Sequence, residues 1–509
     1  MLLHQLLEAS ARRLGAKVAL TRGAERITFG EIDRLADRLA RALVRRGVER
    51  GDRVAILGES RFEAVIAVWA ALKANAVFLV VSREAREDKL AYILRDSAAR
   101  ALVAPARLAP LVAAAAPRAP ALRAVVTFGG PPPPLPGVTV DRWEDALGPE
   151  PEGPPRRVAI DVDLASIIYT SGSTGEPKGV MLTHASMVAA ATSITGYLGA
   201  REDDVVLDAL PLAFDYGLYQ VLMAAQVGAR VVLEESFAYP SVVLDSVVRE
   251  GVTAFPGVPT MFAILTQLGA FEHDLSGVRY VTNTAAALPA AHLAELRRVF
   301  PRARIFSMYG LTECKRCTYL PPEDLDRKPG SVGLAIPNTE LWIEDASGRR
   351  LGPGEVGELV IRGATVMRGY WNKPAATDER LKPGPLPGER VLHTGDLCRL
   401  DDEGYLYFVA RMDDVIKSRG EKVAPREVED AIYALAGVRE VAVIGVPHDL
   451  LGHAVKAFVV ADPALGYGEA QIIAHCRARL EPFMVPRWVE FRDSLPKTDT
   501  GKIKKSGLV

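Results

Sequence analysis

Hydrophobic positions along residues 1–125 alternate between two rhythms. Leu2, Leu3, Leu6, Leu7 and Leu14 fall on one helical face, and ITFGEIDRLADRLARALVRRG (27–47) keeps the same spacing. DRVAILG (52–58), ALVAP (101–105) and LRAVVTF (122–128) are short, almost wholly apolar runs of the kind that form buried strands. The longest apolar stretch, AVIAVWAALKANAVFLVV (64–81), is broken by Lys73 and Asn75, which predicts a buried helix, a turn and a buried strand rather than a membrane span. Helix–strand alternation of this kind predicts a mostly parallel sheet covered by helices.

GGPPPPLPGV (129–138) and the Pro-rich stretch 149–155 read as surface loops. A second αβ series then runs from 161 to about 310, with strands in VVLDALPL, ARVVLEE, VTAFPGVP and VRYVTNT. Between about 330 and 409 the rhythm shortens. LWIED, GELVIRG, VLHTGDLCRL and GYLYFVA are separated by Gly, Pro and Asp turns, the pattern of an antiparallel β module. Residues 414–509 carry helix (APREVEDAIYALAG), two strands (EVAVIGVP, AVKAFVV), helix (EAQIIAHCRARL) and a polar end, a small α+β domain. The expected fold is therefore α/β: a large N-terminal domain of stacked αβ sheets with a small β module, and a small α+β C-terminal domain.

Composition changes this picture little. The 509 residues are 49% hydrophobic and 25% charged, so a largely disordered chain is excluded. Lys plus Arg (62) balance Asp plus Glu (63), leaving no global positive field for nucleic acid. Four cysteines make no disulfide scaffold, and no secretory leader or membrane anchor is visible, so the expectation is a cytoplasmic protein without membrane partners. Cys314 and Cys317 lack a second pair for zinc and are expected to pack.

The stretch richest in chemistry is YTSGSTGEPKG (169–179), between the apolar run ASIIYT and the helical run HASMVAAATSI. Its hydroxyls, its glycines (Gly172, Gly175, Gly179) and Lys178 are suited to wrapping a polyphosphate with backbone N–H groups. Pro177 stands where a Walker A loop needs glycine.

This string resembles the phosphate loop of the adenylate-forming superfamily, which holds acyl-CoA synthetases, peptide-synthetase adenylation domains and luciferases. Further family elements follow in order: YGLTE (309–313), GELVIRGATVMRGYWNKP (357–374), HTGDL (393–397), ARMDDVIKSRG (410–420, with Ala410 in place of the usual glycine) and LPKTDTGKIKKSGL (495–508). The resemblance implies an ATP-dependent carboxylate–thiol ligase. It would make an acyl-AMP with pyrophosphate release, then a thioester with CoA or, alternatively, with the phosphopantetheine of a carrier protein after amino-acid activation. It also implies Mg2+, a small carboxylic acid substrate, and a monomer or homodimer.

Residue by residue, the resemblance places the phosphates on Thr170, Ser171, Gly172, Ser173, Thr174, Gly175 and Lys178. Thr312 would meet the α-phosphate and Glu313 the magnesium. The strand end Ala285, Ala286 and Ala287 would run along adenine, Tyr309 would also bind the nucleotide, and Asp396 and Arg411 would hold the ribose. Lys502 would bridge carboxylate and α-phosphate; Lys504 and Lys505 are its decoys. A hinge at 410–413, pivoting on Asp413, would separate residues 1–409 from a mobile lid at 414–509, and Gly420 would line the thiol tunnel. The acid pocket is expected from Phe214, Asp215, Tyr219, Thr282, Thr284, Met308 and Arg316. Asp215, if buried, needs a cationic partner, which is either a substrate ammonium or Arg316. His184, just after the loop, is read equally as packed or functional.

Overall fold

The computed structural model describes residues 1–148, 153–170, 176–267, 273–284, 290–418, 421–448, 452–497 and 503–508. Two large sheets dominate. One has eight strands, in the spatial order Gly369–Tyr370, Lys178–Thr183, Leu164–Thr170, Val77–Ser82, Arg53–Gly58, Ala99–Pro105, Ala124–Phe128, Thr139–Arg142. It is parallel from Leu164–Thr170 onward, and antiparallel at the two strands before it. The other has nine, running from Leu334–Ala335 through Thr318–Leu320, Arg304–Tyr309, Tyr280–Asn283, Ala254–Gly257, Val205–Asp208 and Arg230–Leu233 to Val18–Arg22 and Glu25–Thr28.

The apolar runs form the expected elements. Phe29–Arg45 is a helix opened by a capping box, in which the Thr28 hydroxyl accepts from Glu31 N–H and the Glu31 carboxylate accepts from Thr28 N–H. The stretch 64–81 divides as expected into the helix Phe62–Lys73, a turn with Asn75 at φ +60°, and the strand Val77–Ser82. Lys73 stays buried because its ammonium bonds Asp33 (2.7 Å) and Asp37 (2.5 Å) on the neighbouring helix. Helices Phe62–Lys73 and Asp215–Val227 are buried nearly all round, as helices held inside a layered core must be. One continuous core joins them to both sheets, and a second fills the outer face of the eight-stranded sheet beneath Glu87–Asp96 and Ala109–Ala115. No helix among the described residues is long and apolar enough to cross a membrane.

Sheet membership departs from chain order. The expected split into one sheet before 125 and another after 161 does not hold. Strands Val18–Arg22 and Glu25–Thr28 join the later series, and Leu164–Thr170 and Lys178–Thr183 join the earlier one. Apolar periodicity reports that a strand is buried, not which edge it pairs with.

The β module is a five-stranded antiparallel sheet built on Arg390–Leu400, with Thr339–Glu344, Gly357–Gly363, Leu381–Pro383 and Leu406–Arg411. The C-terminal segment forms its own five-stranded sheet. There Trp488–Phe491 runs parallel to Gly452–Ala461, and helices Pro425–Tyr433 and Glu469–Arg477 cover a separate core.

Candidate active site

The parallel strands Val205–Asp208, Tyr280–Asn283 and Arg304–Tyr309 all end on one side of the nine-stranded sheet, and ligands of open α/β sheets bind outside such carboxyl ends. The loops leaving these ends carry Phe214–Asp215, Thr284 and the turn 310–317. Thr170 ends one strand and Lys178 begins the next, and the two are antiparallel partners in register. The short strand Gly369–Tyr370 pairs beside Lys178–Thr183 and brings in Tyr370. The Lys178 ammonium lies 5.4 Å from the Tyr370 ring, and the Tyr370 hydroxyl donates to Glu313 Oε1 at 2.7 Å. Burial, then the Glu313 charge, pushes the Tyr370 pKa up, so that hydroxyl keeps its proton. Lysine, tyrosine and half-buried carboxylate thus meet at one point. Gly179 was expected to let a ligand approach. It serves packing instead, since a Cβ there would lie 2.7 Å from the Ile167 side chain and 3.3 Å from Trp371.

A second group lies where the β module meets the sheet. Asp396, 1% exposed, accepts from the Tyr309 hydroxyl and pairs with Arg411 Nε at 3.2 Å. Asp396 and Arg411 are also cross-strand partners, and Met412–Asp414 follows immediately as an exposed 3₁₀ turn. One hairpin therefore positions both expected ribose ligands and the expected hinge residue Asp413.

The residues expected to form the acid pocket make contacts with one another. Tyr216 donates to the Thr282 carbonyl at 2.9 Å, Phe214 packs edge-on to Tyr216, and Met308 Sδ accepts from Tyr197 at 2.9 Å. Tyr219, Thr282, Thr284 and Met308 are buried. Arg316, the side chain expected as a partner of Asp215, is not the one observed. Lys315 donates to Asp215 Oδ2 at 3.1 Å and to its carbonyl at 2.8 Å, and its ammonium sits 4.1 Å from the centre of the Tyr219 ring. Arg316 instead donates to Thr284 Oγ1 with its guanidinium over Tyr216, a ring that the Lys315 ammonium also approaches, at 5.9 Å. In this turn Lys315 adopts φ +61°, and Gly310 is required because a Cβ would collide with the Lys315 carbonyl. Cys314 and Cys317 clasp the turn, their buried free thiols 3.1 Å apart.

The chain matches the AMP-binding enzyme family over residues 7–371, and the AMP-binding enzyme C-terminal domain over 427–502. The chain belongs to the AMP-binding enzyme family. A feruloyl-CoA synthase of Amycolatopsis sp is 35% identical over 97% of this chain and 96% of its own. The crystal structure of the anthranilate CoA ligase AuaEII with anthranoyl-AMP superposes with a TM-score of 0.90 at 30% identity, covering 100% of this chain and 96% of its own. ATP-bound MatB from Rhodopseudomonas palustris superposes with a TM-score of 0.88, also at 30% identity, covering 100% and 98%.

Seen as an AMP-binding enzyme, the structure brings together Thr170, Lys178, Tyr309, Glu313, Asp396 and Arg411, with Thr312 half-buried between Tyr309 and Glu313 along the chain. Ser171, Gly172, Ser173, Thr174, Gly175, Ala285, Ala286, Ala287, Gly420 and Lys502 lie outside the described residues. Of the two decoys, Lys505 pairs with Glu429 at 2.7 Å, whereas Lys504 is exposed. His184 is packed: its Nδ1 accepts Leu3 N–H at 3.0 Å, and burial lowers its pKa to about 4. Sequence reasoning missed Lys315 and Tyr370. Both stood inside or beside quoted motifs, but only the fold shows which carboxylate each one meets.

Proposed function

We propose that this AMP-forming acid–CoA ligase activates a compact carboxylic acid without a free amino group. The observation that carries the reading is Lys315. Its ammonium already pairs with Asp215, the carboxylate a substrate ammonium would need, and lies against the Tyr219 ring. An amino acid would place a third cation next to Lys315 and Arg316. A long alkyl chain fits no better, because methylenes laid against buried cations and tyrosine hydroxyls forgo about 0.8 kcal/mol each of apolar transfer.

ATP and CoA are the co-substrates. A carboxylate oxygen bonds to the α-phosphorus of ATP as pyrophosphate leaves. The CoA sulfur then bonds to the acyl carbon, and AMP leaves with the anhydride oxygen. The segment ending at Lys178 takes the β- and γ-phosphates, and Thr312 the α-phosphate. Asp396, already a hydrogen-bond acceptor from Tyr309, and Arg411 hold the ribose hydroxyls. Glu313 fits a magnesium ion. It is a hard oxygen donor, half-buried and oriented by the Tyr370 hydroxyl, and the ion would neutralise phosphate charge there. Lys502 supplies the positive charge between carboxylate and phosphate. The 410–413 hinge then swings residues 414–509 so that the Gly420 segment meets the pantetheine arm. All four cysteines are free and buried, which suits a reducing cytoplasm.

The test is acid-dependent release of pyrophosphate and AMP across a panel of carboxylic and amino acids, with CoA and a phosphopantetheinylated carrier protein as rival acceptors. Non-amino acids with CoA should be turned over. Release of ADP instead of AMP, or turnover confined to amino acids and carrier protein, would overturn the reading.

A further inference from the structure

We propose that the acid carries a second anionic group, and that Arg316 is the residue that receives it. This rests on the acid–CoA ligase reading above and names its substrate class as a dianionic acid, a dicarboxylate in the simplest case.

The argument starts from charge. Lys315 is already neutralised by Asp215, at 3.1 Å through Oδ2 and 2.8 Å through the carbonyl. Burial lowers its pKa to about 8 while Asp215 pulls it back up, so it remains an ammonium at neutral pH. Arg316 has no such partner. It is 3% exposed, its Nη1 donates to the neutral hydroxyl of Thr284, and its guanidinium face lies 5.3 Å from the Tyr216 ring centre. Its Nε–H is buried with no acceptor among the described residues.

A guanidinium cannot shed its proton in a protein. The surrounding groups do not supply the missing charge. Burial pushes the hydroxyl pKa values of Tyr197, Tyr216 and Tyr219 up, so they stay neutral. Across Tyr216, burial pushes Asp208 well above the carboxylate range, and its hydrogen bond comes from Leu210 N–H. Among the described residues no carboxylate pairs with Arg316.

An uncompensated buried charge opposes folding, and so does a buried N–H without an acceptor. Here both sit on one side chain, on a turn clasped by the 3.1 Å thiol pair and fixed by Gly310. A side chain held this way is preorganised for a ligand that completes it. With Nη1 committed to Thr284, the Nε–H remains for the planar, charge-assisted pairing that guanidinium makes with a carboxylate.

The experiment compares diacids with isosteric half-amides: succinate with succinamate, glutarate with glutaramate, adipate with adipamate, terephthalate with terephthalamate. Pyrophosphate release and CoA thioester are measured for each, with butyrate and benzoate as monoacids. At least one diacid should exceed its half-amide by about 10- to 150-fold in kcat/KM, the range of one charge-assisted hydrogen bond to a buried partner. In R316M that ratio should fall toward one, and R316K should restore only part of it, because lysine lacks the planar fork. The wild-type ratio stands even where R316M fails to fold. Half-amides or monoacids used as well as every diacid, or a ratio unmoved in R316M, would overturn the proposal and leave the ligase reading intact. Absence of pyrophosphate release with every acid would instead overturn the ligase reading, and this proposal with it.

Discussion

Replacing Lys315 by methionine is the sharpest test of how the pocket is built. The substitution keeps a long apolar stem but removes the ammonium from Asp215, whose side chain is only 11% exposed. At 3.1 Å and an effective dielectric of about 20, the attraction lost is about 5 kcal/mol. Part of that was offset by desolvating the pair, and removal of one partner from buried pairs costs about 3–5 kcal/mol. Asp215→Asn alone removes the charge opposite the ammonium but leaves it the backbone carbonyl at 215, an amide oxygen and the Tyr219 ring, and should cost somewhat less. The double variant removes both charges, so its loss should fall at least 2 kcal/mol short of the sum of the singles. Chemical denaturation of the four proteins at pH 7 gives the coupling energy directly. Additivity within about 0.5 kcal/mol would mean that Lys315 and Asp215 do not hold each other, and the case against an amino-acid substrate would fall with it.

Two further outcomes are expected. Lys502→Ala should slow adenylation by about 10²–10³-fold while a preformed acyl-adenylate is still converted to thioester near the normal rate; Gly420→Leu should do the reverse, and equal losses in both half-reactions would refute domain alternation. Lys504→Ala, at an exposed lysine, is the control for charge in the tail, and an effect as large as that of Lys502→Ala would assign the role wrongly. Burial lowers the folded-state pKa of His184 from 6.5 to about 4, so its contribution is complete above the unfolded value and is lost as pH falls through the interval, about 2 kcal/mol between pH 7 and 5. His184→Asn keeps an acceptor for Leu3 N–H but cannot titrate, so the acid slope of its denaturation midpoint should flatten by that amount; parallel slopes would show that His184 is charged in the folded state.

Most of the fold was legible because burial and period are local properties. The stretch 64–81 resolved into helix, turn and strand from its own residues, with Asn75 marking the turn. Which sheet a strand joins is not local, and Val18–Arg22 ends up beside Arg230–Leu233, some two hundred residues away. The site divides in the same way. Glu313, Asp396 and Arg411 could be named because each sits in an ordered motif. The partner of Asp215 could not, since Lys315 and Arg316 are adjacent in sequence and both cationic, and only the folded structure shows that one meets Asp215 and the other Thr284.

The turn that carries these residues is anchored from two directions. Glu313 is held through its carbonyl by Met367 N–H at 2.7 Å and through its carboxylate by Tyr370, both from the segment that pairs with Lys178–Thr183. Two and three residues on, Lys315 and Arg316 are held by Asp215 and Thr284, which belong to other segments of the chain. On the function proposed above, Glu313 would keep its own supports when 315 or 316 is exchanged, so for natural drift, or for a protein engineer, a change of acid preference would call for repair of the Asp215 pairing rather than of the Glu313 site.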